Sequence, residues 1–200
     1  MSTCDVVLTG VGGQGVLTIR ELLLHAAFDA GVPASLTPTK GMAQRGGFVK
    51  VEIRLGREGI GPRIGERGAD LVVGMERSEA LKGLPYVKPD GTFILFDHVW
   101  EPTGVMLGTD PYPELDRVRD AIRSTASRLI VLDPVDLPTV GGRPGRPNLY
   151  VLGAMIGTPP LGELLEASAV ERVLKNRWPH VVEQNLAVFR SGAAAVGGDL

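Results

Sequence analysis

Apolar positions along the chain fall into two patterns, short continuous runs and longer stretches at helical spacing, and these predict buried strands alternating with amphipathic helices. Residues 4–9 (CDVVLT) form the first continuous run. After a glycine turn, Val16, Leu17, Ile19, Leu22, Leu23, Leu24, Ala26, Ala27 and Phe28 recur at helical spacing until Gly31 and Pro33 stop the run. Strand, glycine turn and helix in direct succession open a βαβ unit. A second strand is expected at 34–37. Residues 48–55 (FVKVEIRL) alternate, with Phe48, Lys50, Glu52 and Arg54 on one face and Val49, Val51, Ile53 and Leu55 on the other. That is a strand with one wet face, and it predicts a mixed sheet.

Further apolar strands are predicted at 70–75, 92–97 and 128–133, with helices at about 78–86 and 113–127 between them. Beyond Pro134 the pattern turns helical. After a Gly/Pro-rich stretch at 141–147, helices are expected at 148–156, 161–176 and 180–196. The sum is an α/β protein: a Rossmann-like three-layer sandwich with a mixed, mostly parallel sheet and a helical C-terminal segment, expected as one domain over 1–200.

Composition narrows the function classes. The chain has 200 residues, 44% apolar and 22% charged, with a formal net charge of −2. It lacks the basic stripe that a nucleic-acid partner demands. No apolar run reaches the ~20 residues of a membrane span, and the start of the chain has no basic leader, so no membrane partner is expected and the cytoplasm is the expected compartment. Cys4 stands alone, which excludes an internal disulfide and leaves no cysteine set for an iron–sulfur cluster or zinc. It reads as a small packing residue, with a reactive thiol as the alternative. His25, His98 and His180 are scattered and form no metal motif.

Candidate chemistry sits in two loops. Gly10-x-Gly12-x-x-Gly15, with Gly13 and Gln14 inside it, has the dinucleotide-loop spacing after a strand and before a helix. Such glycines let backbone N–H groups approach an anion at a helix N-terminus. An NAD site also wants an acid about 20 residues on, and this chain has Thr37, Pro38, Thr39 and Lys40 there. Lys40 suits an extra phosphate, as in NADP or coenzyme A. The alternatives left open are a phosphate-bearing ligand and a purely structural turn, its N–H groups solvated or touching a partner chain. The second loop, KGMAQRGG at 40–47, frames Gln44 and Arg45 with glycines between two strands. Arg45 can pair a phosphate or carboxylate bidentately, or form a salt bridge to a partner chain.

GVGGQGV at 10–16 together with KGMAQRGG at 40–47 closely resembles the gamma-type subunit of 2-oxoacid:ferredoxin oxidoreductases. The MAQRGG form is most similar to the small subunit of the indolepyruvate-type enzymes. The resemblance continues at 148–154 (NLYVLGA) and at 185–192 (NLAVFRSG) and so spans nearly the whole chain; residues 134–147 are its least family-like stretch. It implies a subunit of a complex that oxidatively decarboxylates 2-oxoacids to acyl-coenzyme A and passes electrons to ferredoxin. Thiamine diphosphate and the iron–sulfur clusters would belong to a larger partner subunit. This chain would support assembly and line the coenzyme A channel, with no catalytic residue and no metal of its own and no activity alone.

On that reading the ligand- or partner-contacting residues are Gly10, Gly12, Gly13, Gln14, Gly15, Lys40, Met42, Gln44, Arg45, Gly46 and Asn148. Gln14 reads first as a cap of its own loop, and Asn148 first as the N-cap of the helix after Pro147, with ligand contact as the alternative for each. Asp97-His98 reads as a strand-end turn, with acid–base chemistry as the alternative. Trp100 and Trp178 read as packing or interface residues. An isolated chain is expected to self-associate through its docking face. The competing function is a free-standing nucleotide-binding oxidoreductase or regulatory module.

Overall fold

The computed structural model describes residues 2–36, 46–59, 61–101, 103–109 and 111–196. Among them the strands are β1 (Cys4–Val11), β2 (Ala34–Leu36), β3 (Phe48–Leu55), β4 (Ala69–Gly74), β5 (Val87–Phe96) and β6 (Arg128–Leu132), with a small hairpin of β7 (Thr139–Val140) and β8 (Arg143–Pro144). The helices are α1 (Val16–Asp29), α2 (Arg77–Ala80), α3 (Thr103–Met106), α4 (Leu115–Arg123), α5 (Pro147–Ile156), α6 (Leu161–Leu164), α7 (Ala167–Arg177) and α8 (Val182–Ala194).

Six strands form one sheet in the order β2-β3-β1-β4-β5-β6. β1, β4, β5 and β6 run parallel, while β3 lies antiparallel to both β1 and β2. The sheet is therefore mixed and mostly parallel, as the alternation at 48–55 predicts. β3 intervenes between β1 and β2, whereas a dinucleotide-binding sheet has its second strand directly beside the first.

Successive residues of β1 serve opposite layers, as the period of two requires. Val6 and Leu8 pack with α1, α5, α7 and α8 on one face, and Val7 packs with α2 and α4 on the other. The three-layer architecture follows from those two cores. In α1, Ile19, Leu22, Leu23, Ala26 and Ala27 are fully buried, and each of the larger side chains contributes about 1.5–3 kcal/mol on transfer from water.

The structure departs from the sequence reading in four places. The helix expected at 78–86 is one turn of α2 followed by a 3-10 helix, Leu81–Tyr86, because Pro85 denies the α ladder a donor. The helix expected at 161–176 breaks into α6 and α7 at Leu165, whose backbone is extended. Part of the stretch beyond Pro134 forms the β7–β8 hairpin, turned at Gly141 and Gly142, both at positive φ. The polar face of β3 is also less wet than expected. Arg54 grips Asp5 bidentately at 3.1 and 2.9 Å and donates to the Gly61 and Arg63 carbonyls. The buried Glu52 accepts from Ile64 N–H at 2.7 Å. The 61–64 segment is thereby tied over that face. No helix among the described residues is long and apolar enough to cross a membrane.

Candidate functional site

β1 delivers the glycine loop to the carboxyl end of the parallel strands. Because β3 pairs antiparallel with β1, with Val11 opposite Phe48, the segment entering β3 must pass beside the loop leaving β1. Gly12 N–H donates to the Gly47 carbonyl at 2.9 Å and Gly46 N–H donates to the Gly12 carbonyl at 3.2 Å. The ends of the two glycine motifs are thus in contact. Lys40, Met42, Gln44 and Arg45 lie outside the described residues.

Gln14 acts as the cap of its loop. Its Oε1 accepts Val11 N–H at 2.8 Å, and its Nε2 donates to the Met75 carbonyl at 2.8 Å, tying β1 to the end of β4. Gly10 lies beneath this carboxamide, where a β-carbon would come within 2.9 Å of Gln14 Oε1 and of Met75 Cβ. Gly15 then opens α1 in the left-handed region with φ 83°, and no side chain caps that helix. Asn148 is not the N-cap of α5. That position belongs to Arg146, since Pro147 takes the first helical place, and Asn148 sits one residue further in, against Gly15.

The helix N-termini of α1 and α5 converge on a cavity of about 340 Å³ floored by Gly13, Gln14 and Gly15. Neither helix has an acidic residue in its first turn or a side-chain cap. Two unscreened positive helix ends favour an anion, each by about 0.3–1 kcal/mol. Arg146 and Asn148 also line the cavity, and among the described residues no carboxylate does. The Asn148 carboxamide has no hydrogen-bond partner among the described residues, so it is available to a ligand.

The opposite wall is aromatic. Phe96, His98 and Trp100 alternate past the end of β5 and so face one way. The rings of Phe96 and His98 stack at 5.9 Å and 13°, and Trp100 tilts against His98 at 6.1 Å. Asp97 points elsewhere and engages Arg77 at 2.7 and 3.1 Å, which holds the Arg77 guanidinium pKa above its ordinary value. Arg77 N–H also donates to the His98 carbonyl at 3.1 Å. Asp97 and His98 therefore form no acid–base pair; one anchors the strand end and the other builds the wall. Next to this anchor the fully buried Glu76 caps α2 through Glu79 N–H and accepts from Tyr112 Oη. Burial first, and then that carboxylate, push the Tyr112 phenol far up.

Of the residues that line the cavity, sequence reasoning named Gly13, Gln14, Gly15 and Asn148 as candidate contacts, but not Phe96, His98, Trp100 or Arg146. The run Phe96-x-His98-x-Trp100 was the available signal for the aromatic wall, a strand-period array continuing past the strand. Arg146 carried no signal, because it lies in the Gly/Pro-rich stretch.

Cys4 is buried, and burial, with the nearby Asp70 charge, pushes its thiol well up, which makes it a packing residue. One inert thiol does not fit an iron–sulfur cluster, which takes four thiolates. Among the described residues no group of three or more His, Cys, Asp or Glu side chains is placed to hold a metal.

A glycine loop at the head of a mixed, mostly parallel sheet, beside a cavity where two helix N-termini meet, defines an α/β protein of Rossmann-like architecture. The pattern of the family described as pyruvate ferredoxin/flavodoxin oxidoreductase matches residues 5–195. The chain belongs to that family, as the two glycine motifs and the two later helices led us to expect. It is 33% identical over 190 residues to the indolepyruvate oxidoreductase subunit IorB of Archaeoglobus fulgidus, covering 94% of this chain and 92% of that one. The fold matches that of the pyruvate oxidoreductase subunit PORC of Thermotoga maritima with a TM-score of 0.68 at 19% identity, over 97% of both chains. It also matches part of a 2-oxoglutarate:ferredoxin oxidoreductase from Magnetococcus marinus, solved with 2-oxoglutarate, coenzyme A and succinyl-CoA bound. There the TM-score is 0.61 at 16% identity, over 98% of this chain and 31% of that one.

Proposed function

We propose that this chain is the non-redox subunit of a 2-oxoacid:ferredoxin oxidoreductase of the indolepyruvate type, and that it contributes a phosphate-binding cavity to the complex. The observation that carries the reading is the contact between Gly12 and the Gly46–Gly47 segment. It sets Gly46 and Gly47 beside the first glycine loop, next to a cavity with two bare helix N-termini, Arg146 and, among the described residues, no carboxylate.

A larger partner subunit would carry thiamine diphosphate and the iron–sulfur clusters and pass electrons to ferredoxin, in the cytoplasm. Thiamine diphosphate would supply the carbanion chemistry of decarboxylation there. The role of this chain is to bind and orient. Its helix N-termini, Arg146 and Asn148 receive a phosphate-bearing co-substrate, for which coenzyme A fits by charge, and Phe96, His98 and Trp100 offer flat apolar surface to the rest of it. The candidate contacts Gly13, Gln14, Gly15 and Asn148 line this cavity, Gly10 lies beneath the Gln14 carboxamide, and Gly12 and Gly46 bond to each other beside it. The strand inserted between β1 and β2 argues against a nicotinamide dinucleotide held in the usual way.

The test is reconstitution. The purified chain alone should not reduce a viologen dye with any 2-oxoacid, and together with its large companion it should do so in a coenzyme A-dependent way. Reduction by the chain alone, or tight NAD(P) binding to it, would establish the free-standing oxidoreductase instead.

A further inference from the structure

Arg146, exposed at the head of α5, is the one cation that lines the cavity among the described residues. Most arginines of this chain whose contacts are resolved sit against carboxylates: Arg54 on Asp5, Arg77 on Asp97, Arg177 on Glu21 and Arg190 on Glu171. Arg146 has no such partner among the described residues. Its guanidinium carbon lies 5.0 Å over the ring of Trp178 instead. The backbone beneath it is fixed as well. Pro147 holds its neighbour extended, and Gly145 is wedged so closely that a β-carbon there would lie 2.6 Å from Val188.

Trp178 follows the last residue of α7, is half-buried and packs against the helical core. A second guanidinium, that of Arg177, lies 5.3 Å from the same ring, but it is paired with Glu21 on α1 at 2.8 Å. Of the two cations on Trp178, one is neutralised by a carboxylate and the other is not. This difference has a physical consequence. A carboxylate that restrained Arg146 would also cancel its field at the cavity, whereas an aromatic face restrains a cation and leaves its charge intact. The ring also removes rotamer freedom that a ligand would otherwise have to restrict.

We infer that Trp178 is a positioning residue of the glycine-loop cavity, holding Arg146 at its rim in a restrained but unneutralised state and so raising the affinity of the site for phosphate groups. The inference rests on the phosphate-binding reading of the cavity. Trp178 itself touches no ligand. It acts through Arg146 alone.

The experiment is a double-mutant cycle on the full chain, with pyrophosphate as probe and calorimetric titration at low and moderate salt. Arg146→Gln should weaken binding and flatten its salt dependence. Trp178→Leu should weaken it about two- to fivefold. Once Trp178 is gone, Arg146→Gln should cost distinctly less than it does in the unaltered chain. Trp178→Phe, which keeps a smaller ring, should fall between, and it carries the cycle if the leucine variant does not fold. A merely structural role for Trp178 would lower the melting temperature and leave the cost of Arg146→Gln unchanged. If the losses simply multiply, or Trp178→Phe equals the unaltered chain while Arg146→Gln does not, the positioning role is wrong and the phosphate site stands. If the unaltered chain does not bind pyrophosphate, both fall together.

Discussion

The carboxamide of Asn148 rests against Gly15 so closely that a β-carbon on that glycine would lie 2.5 Å from Asn148 Nδ2. This contact couples the start of α1 to the start of α5, and it explains why the two helix ends converge on one cavity. Gly15→Ala is penalised twice, by its φ of 83° and by the displaced asparagine. The expected loss is about 1–3 kcal/mol of stability, read by urea denaturation. Pyrophosphate binding should be lost as well. Adding Asn148→Ala should relieve the crowding but not the backbone strain, so the double variant recovers only part of the stability. Full recovery would show that the left-handed backbone costs nothing here.

Gln14 stood between two roles, ligand contact and loop cap, and the structure uses both ends of its carboxamide internally. Gln14→Leu keeps the approximate shape but strands Val11 N–H and the Met75 carbonyl. The expected loss is about 1–3 kcal/mol in chemical denaturation. Gln14→Glu keeps an acceptor for Val11 but sets a carboxylate against a carbonyl oxygen, so at neutral pH it should be no better than leucine. Unchanged stability in both variants, with weakened phosphate binding, would return Gln14 to the role of ligand contact.

What the chain reveals locally is what its periodicity and turn chemistry determine. β1, the glycine loop and α1 are legible because a buried run, a turn and a 3.6-residue stripe follow one another without interruption. β3 is legible as a strand with unlike faces, since Val49, Val51, Ile53 and Leu55 alternate with polar residues, and a mixed sheet follows from it. The helix ends were less so. Pro85 converts the turn after α2 into a 3-10 helix, and the extended Leu165 splits a continuous helical pattern. The cavity was half legible for a different reason. Its floor is contiguous in sequence, but Arg146, Asn148 and the Phe96–Trp100 wall reach it through tertiary packing of α5 and β5, so that even the strand-period signal of the aromatic run does not say which cavity it faces.

The pairing of Glu171 on α7 with Arg190 on α8, at 2.7 and 2.8 Å, predicts a pH effect of definite sign. The hydrogen bond from Arg190, and then its charge, hold the Glu171 carboxyl below its ordinary value. A carboxyl depressed on folding contributes stability in full above its unfolded pKa, about 4.3 for glutamate. That contribution fades as the pH falls through the lower folded value. Arg190→Gln should therefore lower the melting temperature slightly at pH 7. The gap should close below about pH 4 and narrow in high salt, because the arginine is exposed. A gap that persists unchanged at pH 3 would mean that Arg190 acts through packing of its stem rather than through its charge.

The two helix segments that carry the family resemblance, at 148–154 and 185–192, prove to be the two sides of one helix crossing. A β-carbon at Gly153 of α5 would stand 1.9 Å from the Phe189 carbonyl oxygen of α8, and one at Gly192 would stand 1.8 Å from the Tyr150 carbonyl oxygen. Both obstacles are backbone, so no rotamer change relieves them and the helices themselves would have to separate. Separation would open the core around Leu149, Leu152, Leu186 and Phe189, all buried there, and would shift the α5 N-terminus away from Gly15. Gly153→Ala is therefore expected to cost about 3 kcal/mol or more, above the usual range for one added methyl group. Gly192→Ala should cost a similar amount, and the pair less than the sum, since moving the helices apart once relieves both. Phosphate affinity should fall in parallel although neither glycine lines the cavity, a dependence readable by titrating each variant at a temperature where it is still folded. Costs below about 1 kcal/mol would mean that the helices cross with slack, and that the glycines are there for a reason other than close approach.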